Sequence, residues 1–170
     1  MINKLFAQGT LSILCGAHSP IHYICVLLSW RIIYHKWPCF YELVCIFIHD
    51  MGHFGLNYLD SQAEKDLHWY LGARIARFLF GQKGYNMIAG HDKSSGYPES
   101  KLYRADKYAW YICPRWVLVW NCFVEPKLSM GYKWRDGINL FVKQVKKSIE
   151  SGEFRSTHEF YVERCKDVLK

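Results

Sequence analysis

The residues best equipped for chemistry in this chain are an imidazole and a carboxylate side by side. They are His49 and Asp50, in the stretch Phe47-Ile48-His49-Asp50-Met51-Gly52-His53-Phe54-Gly55. This stretch closes an apolar run, Leu43 to Ile48, so the doublet falls where a buried helix gives out. A helix that ends on His-Asp, with Gly52 and Gly55 letting the chain turn away, is suited to holding a metal ion. Imidazole supplies one ligand, and the carboxylate either terminates on one ion or bridges two. An isolated His-Asp pair is more often a capping histidine beside a turn residue. Here His18, His22, His68, His91 and Asp106 fall in order around it, each on a predicted helix.

Those helices are read from apolar spacing and its breaks. Ile21 to Tyr34 is helical and largely buried. Trp37-Pro38 ends it, because the residue before a proline is pushed out of helical angles. Tyr41 to His49 is the next helix. Ser61-Gln62-Ala63-Glu64 has the spacing of a capping box, and the helix it opens carries His68, Leu71, Ile75 and Leu79 on one face. Gly81 and Gly84 close that helix, and Tyr85 to Gly90 forms a short one leading to His91. Lys93 to Pro98 is the clearest loop, and Glu99 to Cys113 is a helix carrying Asp106. Pro114 starts an apolar helix through Val124. Ile138 to Ile149 follows, and Ser156-Thr157-His158-Glu159 caps a final helix. Strand signals are scarce, so the expected fold is all-α, a single-domain bundle of about seven to eight helices.

A chain of 170 residues buries roughly 70% of the surface its unfolded form exposes. It needs neither disulfides nor a structural metal, which makes any metal functional. Charged residues are 22% and apolar residues 51%, which excludes a disordered chain. The net charge of +7 favours an anionic partner, although lysines and arginines near the C-terminus supply much of it. Seven cysteines are odd in number and form no Cys-x-x-Cys pair, and they read as free, buried thiols in a reducing compartment. No apolar run reaches the roughly 18 residues of a membrane span, and Gln8-Gly9-Thr10 interrupts the N-terminal apolar stretch. The expected location is cytoplasmic, with no membrane partner.

The motifs His18-Ser19, His49-Asp50, His68 in His68-Trp69-Tyr70-Leu71-Gly72-Ala73, Gly90-His91 and Asp106 in Ala105-Asp106-Lys107-Tyr108 resemble the HD-domain superfamily of metal-dependent phosphohydrolases. The likeness runs from about His18 to Trp110, with an HD core of about 17–112 and a C-terminal helical extension of about 114–170. Gly96-Tyr97-Pro98 and the two additional histidines resemble the HD-GYP branch. The chain departs from that branch at Gly90-His91, where a histidine pair is usual, and at His53, where a lysine often follows the doublet. Cyclic-di-GMP hydrolysis is therefore not carried over. The end of the chain, Pro114-Arg115-Trp116 and Trp120, looks instead like compact phage and bacterial members.

The resemblance implies that His18, His49, Asp50 and Asp106 hold one divalent ion, and that Asp50, His68 and His91 hold a second. His22, one helical turn after His18, is the alternative first ligand. Mixed imidazole and carboxylate ligands suit Mn, Fe, Co, Ni or Zn. Asp50 and His53 are the candidate catalytic residues, His53 as a proton donor to the leaving group. Lys93, Arg104, Lys107 and Arg115 are the candidate substrate-binding cations. The expected activity is hydrolysis of a nucleotide or related phosphate ester by metal-activated water. One alternative is an HD-type di-iron oxygenase; another is a non-catalytic regulatory or nucleic-acid-binding module with a vestigial site. A small phosphorylated substrate is preferred to nucleic acid because no basic stripe interleaved with aromatics runs along any one helix. The high aromatic content allows a homo-oligomer.

Overall fold

The computed structural model describes residues 7–57, 61–114, 116–117 and 120–121, and among these there is no strand. The elements are α1 (Gln8–Cys15), α2 (Pro20–Tyr34), α3 (Phe40–Ile48), a 3-10 segment (His49–His53), a single helical turn (Gln62–Lys65), α4 (His68–Ala89) and α5 (Lys101–Ile112). The fold is all-helical, as expected. The helices predicted at 138–149 and after Ser156, and most of the one predicted from Pro114, lie outside the described residues.

Local chemistry accounts for the boundaries. Pro20 supplies the fixed φ that suits a first helical turn, and α2 ends at His35, whose φ of 54° is the left-handed cap conformation. At the start of α3, the Cys39 N–H donates to Glu42 Oε2 at 2.9 Å. Ser61 caps as its spacing predicts, accepting from the Glu64 N–H at 3.3 Å. The helix it opens is one turn long, however, and α4 starts afresh at His68. At Gly81, one of the two glycines expected to close the helix, α4 breaks through a φ of 67°, and a second helical stretch runs on through Gly84 to Ala89.

The core joins four helices. Val26 and Trp30 come from α2, Cys45 and Ile46 from α3, Ala73, Ala76 and Ile88 from α4, and Leu102, Ala105 and Ala109 from α5. Alanines on α4 and α5 let backbones approach closely, and α2 packs along α5 while α3 packs on α4. Cys25, Cys45 and Cys113 are free and buried, whereas Cys15 and Cys39 are exposed, which corrects the expectation of uniformly buried thiols. No single helix among the described residues is long and apolar enough to cross a membrane; α1 and α2 pass such a test only when joined across a 63° bend.

The sequence reading did not anticipate α1. Gln8, Gly9, Thr10 and Ser12 are all buried, because this short polar face lies on the 3-10 segment. The Gly9 N–H donates to the Leu56 carbonyl at 2.8 Å, and the Gly55 N–H donates to Thr10 Oγ1 at 2.9 Å.

Candidate metal centre

Three histidines are held by the same local device. His49 follows α3, His68 follows the turn Gln62–Lys65, and His91 follows α4. At a helix end the last carbonyls lack an intrahelical partner, and each ring uses one of them. The Nδ1–H of His49 donates to the Ile46 carbonyl at 2.7 Å. That of His68 donates to Lys65 at 2.6 Å, and that of His91 to Ile88 at 2.5 Å. The break in the helix after Lys65 is thus what orients His68. A carbonyl on Nδ1 fixes the tautomer that leaves Nε2 as a bare donor of electrons.

Those Nε2 atoms converge on two carboxylates brought from the 3-10 segment and from α5. Asp50 Oδ2 lies 3.1 Å from His49 Nε2 and 3.4 Å from His22 Nε2. Asp106 Oδ1 lies 3.0 Å from His22 and 3.6 Å from His49. The other oxygen of Asp50, Oδ1, lies 3.8 Å from His91 Nε2 and 3.9 Å from His53 Nε2. His68 joins through His91, Nε2 to Nε2 at 3.2 Å, and lies 3.6 Å from Asp92 Oδ2. Asp50 therefore presents its two oxygens to two separate sets of imidazoles.

His22, the alternative first ligand, stands with His49 and Asp106. His18 groups instead with Asp50 and His53. Its ring lies 3.9 Å from that of His53, and its Nδ1 hydrogen-bonds Ser12 Oγ at 2.8 Å. Neither Ser12 nor α1 was singled out from sequence; the only signal was Gln8-Gly9-Thr10 inside an apolar run. Trp110 packs its ring 5.2 Å from that of His22. Gly52 is required by a close approach, since a Cβ there would overlap the His68 carbonyl.

The electrostatics follow from burial of both signs together. Burial opposes the charge on Asp50, but His49, His18 and His22 outweigh it and hold the carboxyl well below its usual 3.8. Burial likewise opposes Asp106, which Lys107, His22 and His49 hold well below that value. Burial would depress His49, yet Asp50 and Asp106 raise it to about 10, and in the same way they raise His22. Burial, with the neighbouring His49 and His68, lowers His91 to about 3. Burial and His18 push His53 well below 6.5.

These residues fit a divalent cation. His22 Nε2, His49 Nε2 and Asp50 Oδ2 are buried and make only the close ion-pair approaches described above, with no well-aligned hydrogen bond among the described residues, an arrangement that a cation set between them would satisfy. Two donors each about 2.0–2.1 Å from one ion stand roughly 3.3 Å apart at a tetrahedral angle. The cluster's shorter separations bracket that figure.

Of the predicted substrate cations, Lys107 pairs with Asp106 Oδ2 at 2.9 Å and also lies 5.8 Å from the Tyr103 ring centroid. Lys93 lies 5.3 Å from the same ring and pairs with Glu99 at 3.5 Å. Tyr103, not predicted, thus joins the two lysines. Arg104 is exposed on α5, and its charge acts on the Tyr34 hydroxyl. Arg115 lies outside the described residues. Comparison with protein-family models, curated proteins and solved structures gave no match to the chain.

Proposed function

We propose that this protein is a metal-dependent phosphohydrolase acting on a nucleotide or related phosphate ester, as its resemblance to the HD-domain superfamily implies. The observation that carries the reading is the division of Asp50, with Oδ2 toward His22 and His49 and Oδ1 toward His91 and His53. His22, His49, Asp50 and Asp106 would hold one divalent ion; Asp50, His68 and His91 would hold a second. Bound there, divalent ions supply Lewis acidity and a water acidified toward neutral pH.

The chain's own residues do the rest. The carbonyls of Ile46, Lys65 and Ile88 orient the imidazoles, so binding meets rings already turned inward. Lys93 and Lys107, flanking Tyr103, supply positive charge for a phosphate. His53, kept neutral by burial and His18, has an imidazole beside Asp50 that would accept a proton from water instead of donating one to the leaving oxygen.

The test is a screen of metal-reconstituted protein against nucleoside mono-, di- and triphosphates and cyclic dinucleotides, with Asp50→Ala alongside. Phosphate release that depends on Mn or Co and disappears in Asp50→Ala supports the proposal. Activity unchanged in that variant excludes this site. A tightly bound iron pair with a charge-transfer band and no hydrolysis would replace the proposal with oxygenase chemistry.

A further inference from the structure

The exposed face of α4 carries a second set of residues with no part in the metal cluster. His68, Trp69, Gly72, Ala73 and Ala76 are buried, whereas Tyr70, Arg74, Arg77 and Phe78 are exposed on the other side. Beyond the kink at Gly81, the buried Tyr85 borders the same face. Tyr70, Arg74, Arg77, Phe78 and Tyr85 together line an open cavity of about 310 Å³, at the small end of the range for ligand pockets.

The lining has a consistent chemistry. Arg74 lies with its guanidinium carbon 5.7 Å from the Tyr70 ring centroid, and Arg77 lies 5.8 Å from that of Tyr85. Tyr85 is itself fixed by edge contacts with the rings of Tyr97 and Trp69. A guanidinium stacked on a ring has a restricted position while its N–H groups stay available for bidentate contact with an anion. Among the described residues, no carboxylate forms an ion pair with Arg74 or Arg77. Phe78 is 88% exposed, which leaves a flat apolar ring beside two positive groups.

We propose that this cavity on α4 binds a nucleoside monophosphate, its phosphate held by Arg74 and Arg77 and its base stacked on the exposed rings of Tyr70 and Phe78. The charges alone suit any phosphate. The two exposed rings are what select a ligand with an aromatic base. This site is separate from the metal cluster, which occupies the buried side of the same helix.

The experiment is calorimetric titration of the full chain, kept in chelator, with adenosine monophosphate, ribose 5-phosphate, inorganic phosphate and adenosine. Adenosine monophosphate should bind most tightly. Arg74→Gln and Arg77→Gln should each weaken it about tenfold, and Phe78→Ala by a similar factor. These side chains are exposed, and an unchanged circular dichroism spectrum checks each fold. The chelator-treated Asp50→Asn variant should bind as the parent does, so this result and the hydrolase proposal stand or fall separately. The inference is overturned by no binding at millimolar nucleotide, by phosphate binding as tightly as the nucleotide, or by arginine variants that bind normally. An oligonucleotide held a hundredfold more tightly than the monomer would overturn it in favour of nucleic acid.

Discussion

His68 and His91 face each other Nε2 to Nε2 at 3.2 Å, although each already donates its Nδ1 proton to a backbone carbonyl. Two neutral rings in that state would oppose lone pair to lone pair. A shared cation, either a proton or a metal ion, relieves the repulsion. With a metal ion, chelator-treated protein titrated with Co(II) should develop visible absorption, and its melting temperature should rise. Binding at one hundred times Kd stabilises by about 2.7 kcal/mol. His91→Ala should lower the measured cobalt stoichiometry, and Asp50→Ala should abolish high-affinity uptake.

The pH dependence of the metal-free protein follows from His49. Its pKa rises from 6.5 to about 10 despite burial, because Asp50 and Asp106 hold the charged form. Stabilisation from that proton is complete below pH 6.5 and is lost as the pH rises toward 10. The melting temperature of chelated protein should therefore fall by a few degrees between pH 7 and 10. Metal-loaded protein should not follow, since the ion takes the proton's place. Loading near neutral pH should release roughly one proton per ion, measurable with an indicator dye.

Gly52→Ala tests the packing beneath the cluster. Its added methyl meets the His68 carbonyl, which is backbone and cannot swing aside. Overpacking of this kind costs roughly 1–3 kcal/mol. Thermal melting and cobalt affinity should fall together, because displacing His68 also moves a proposed ligand.

Among the described residues Lys107 is the lysine closest to a proposed ligand, 2.9 Å from Asp106 Oδ2. If it meets substrate phosphate, Lys107→Gln should raise KM about tenfold with kcat changed less, and Lys107→Arg should recover most of the loss. A loss confined to kcat, accompanied by weaker cobalt binding, would make Lys107 a positioning residue for Asp106 instead.

Away from the cluster, Glu42 caps α3 through the Cys39 N–H and reaches Lys101 at 3.5 Å. Burial opposes its charge, but these partners prevail and its pKa is lowered from 4.5. Its contribution is present above pH 4.5 and is lost as the pH falls through the lowered value. Glu42→Ala should cost about 1 kcal/mol at pH 7, and the gap from the parent should close in acid melts.

The chain's periodicity located the helices around the cluster because α2, α3 and α5 bury one side against neighbours. Their predicted ends agree with the structure to within about two residues. The residues that converge were also legible as types: His49, Asp50, His68, His91 and Asp106 all join one buried cluster. The choice between His18 and His22 was not legible. Four residues apart on a helical reading, they share a face, and only the structural start of α2 at Pro20 puts His22 inside it and His18 before it. The break after Lys65 was missed for a similar reason. A capping box announces a helix start but says nothing of where that helix stops. The break at Gly81 was legible as a glycine closing the helix, but the pocket beside it depends on a backbone sign that one glycine code letter leaves open.

The segment His49–His53 is wound with three residues per turn, so positions 50 and 53 lie almost directly above one another. Ordinary α winding would rotate the second of them by about 60° relative to the first. Had the helix simply continued past Ile48, the imidazole at 53 would have been offset around the axis from the carboxylate at 50. The pitch of a single turn therefore sets how squarely these two side chains face each other, and drift in the surrounding loops is better tolerated than any insertion that resets this winding.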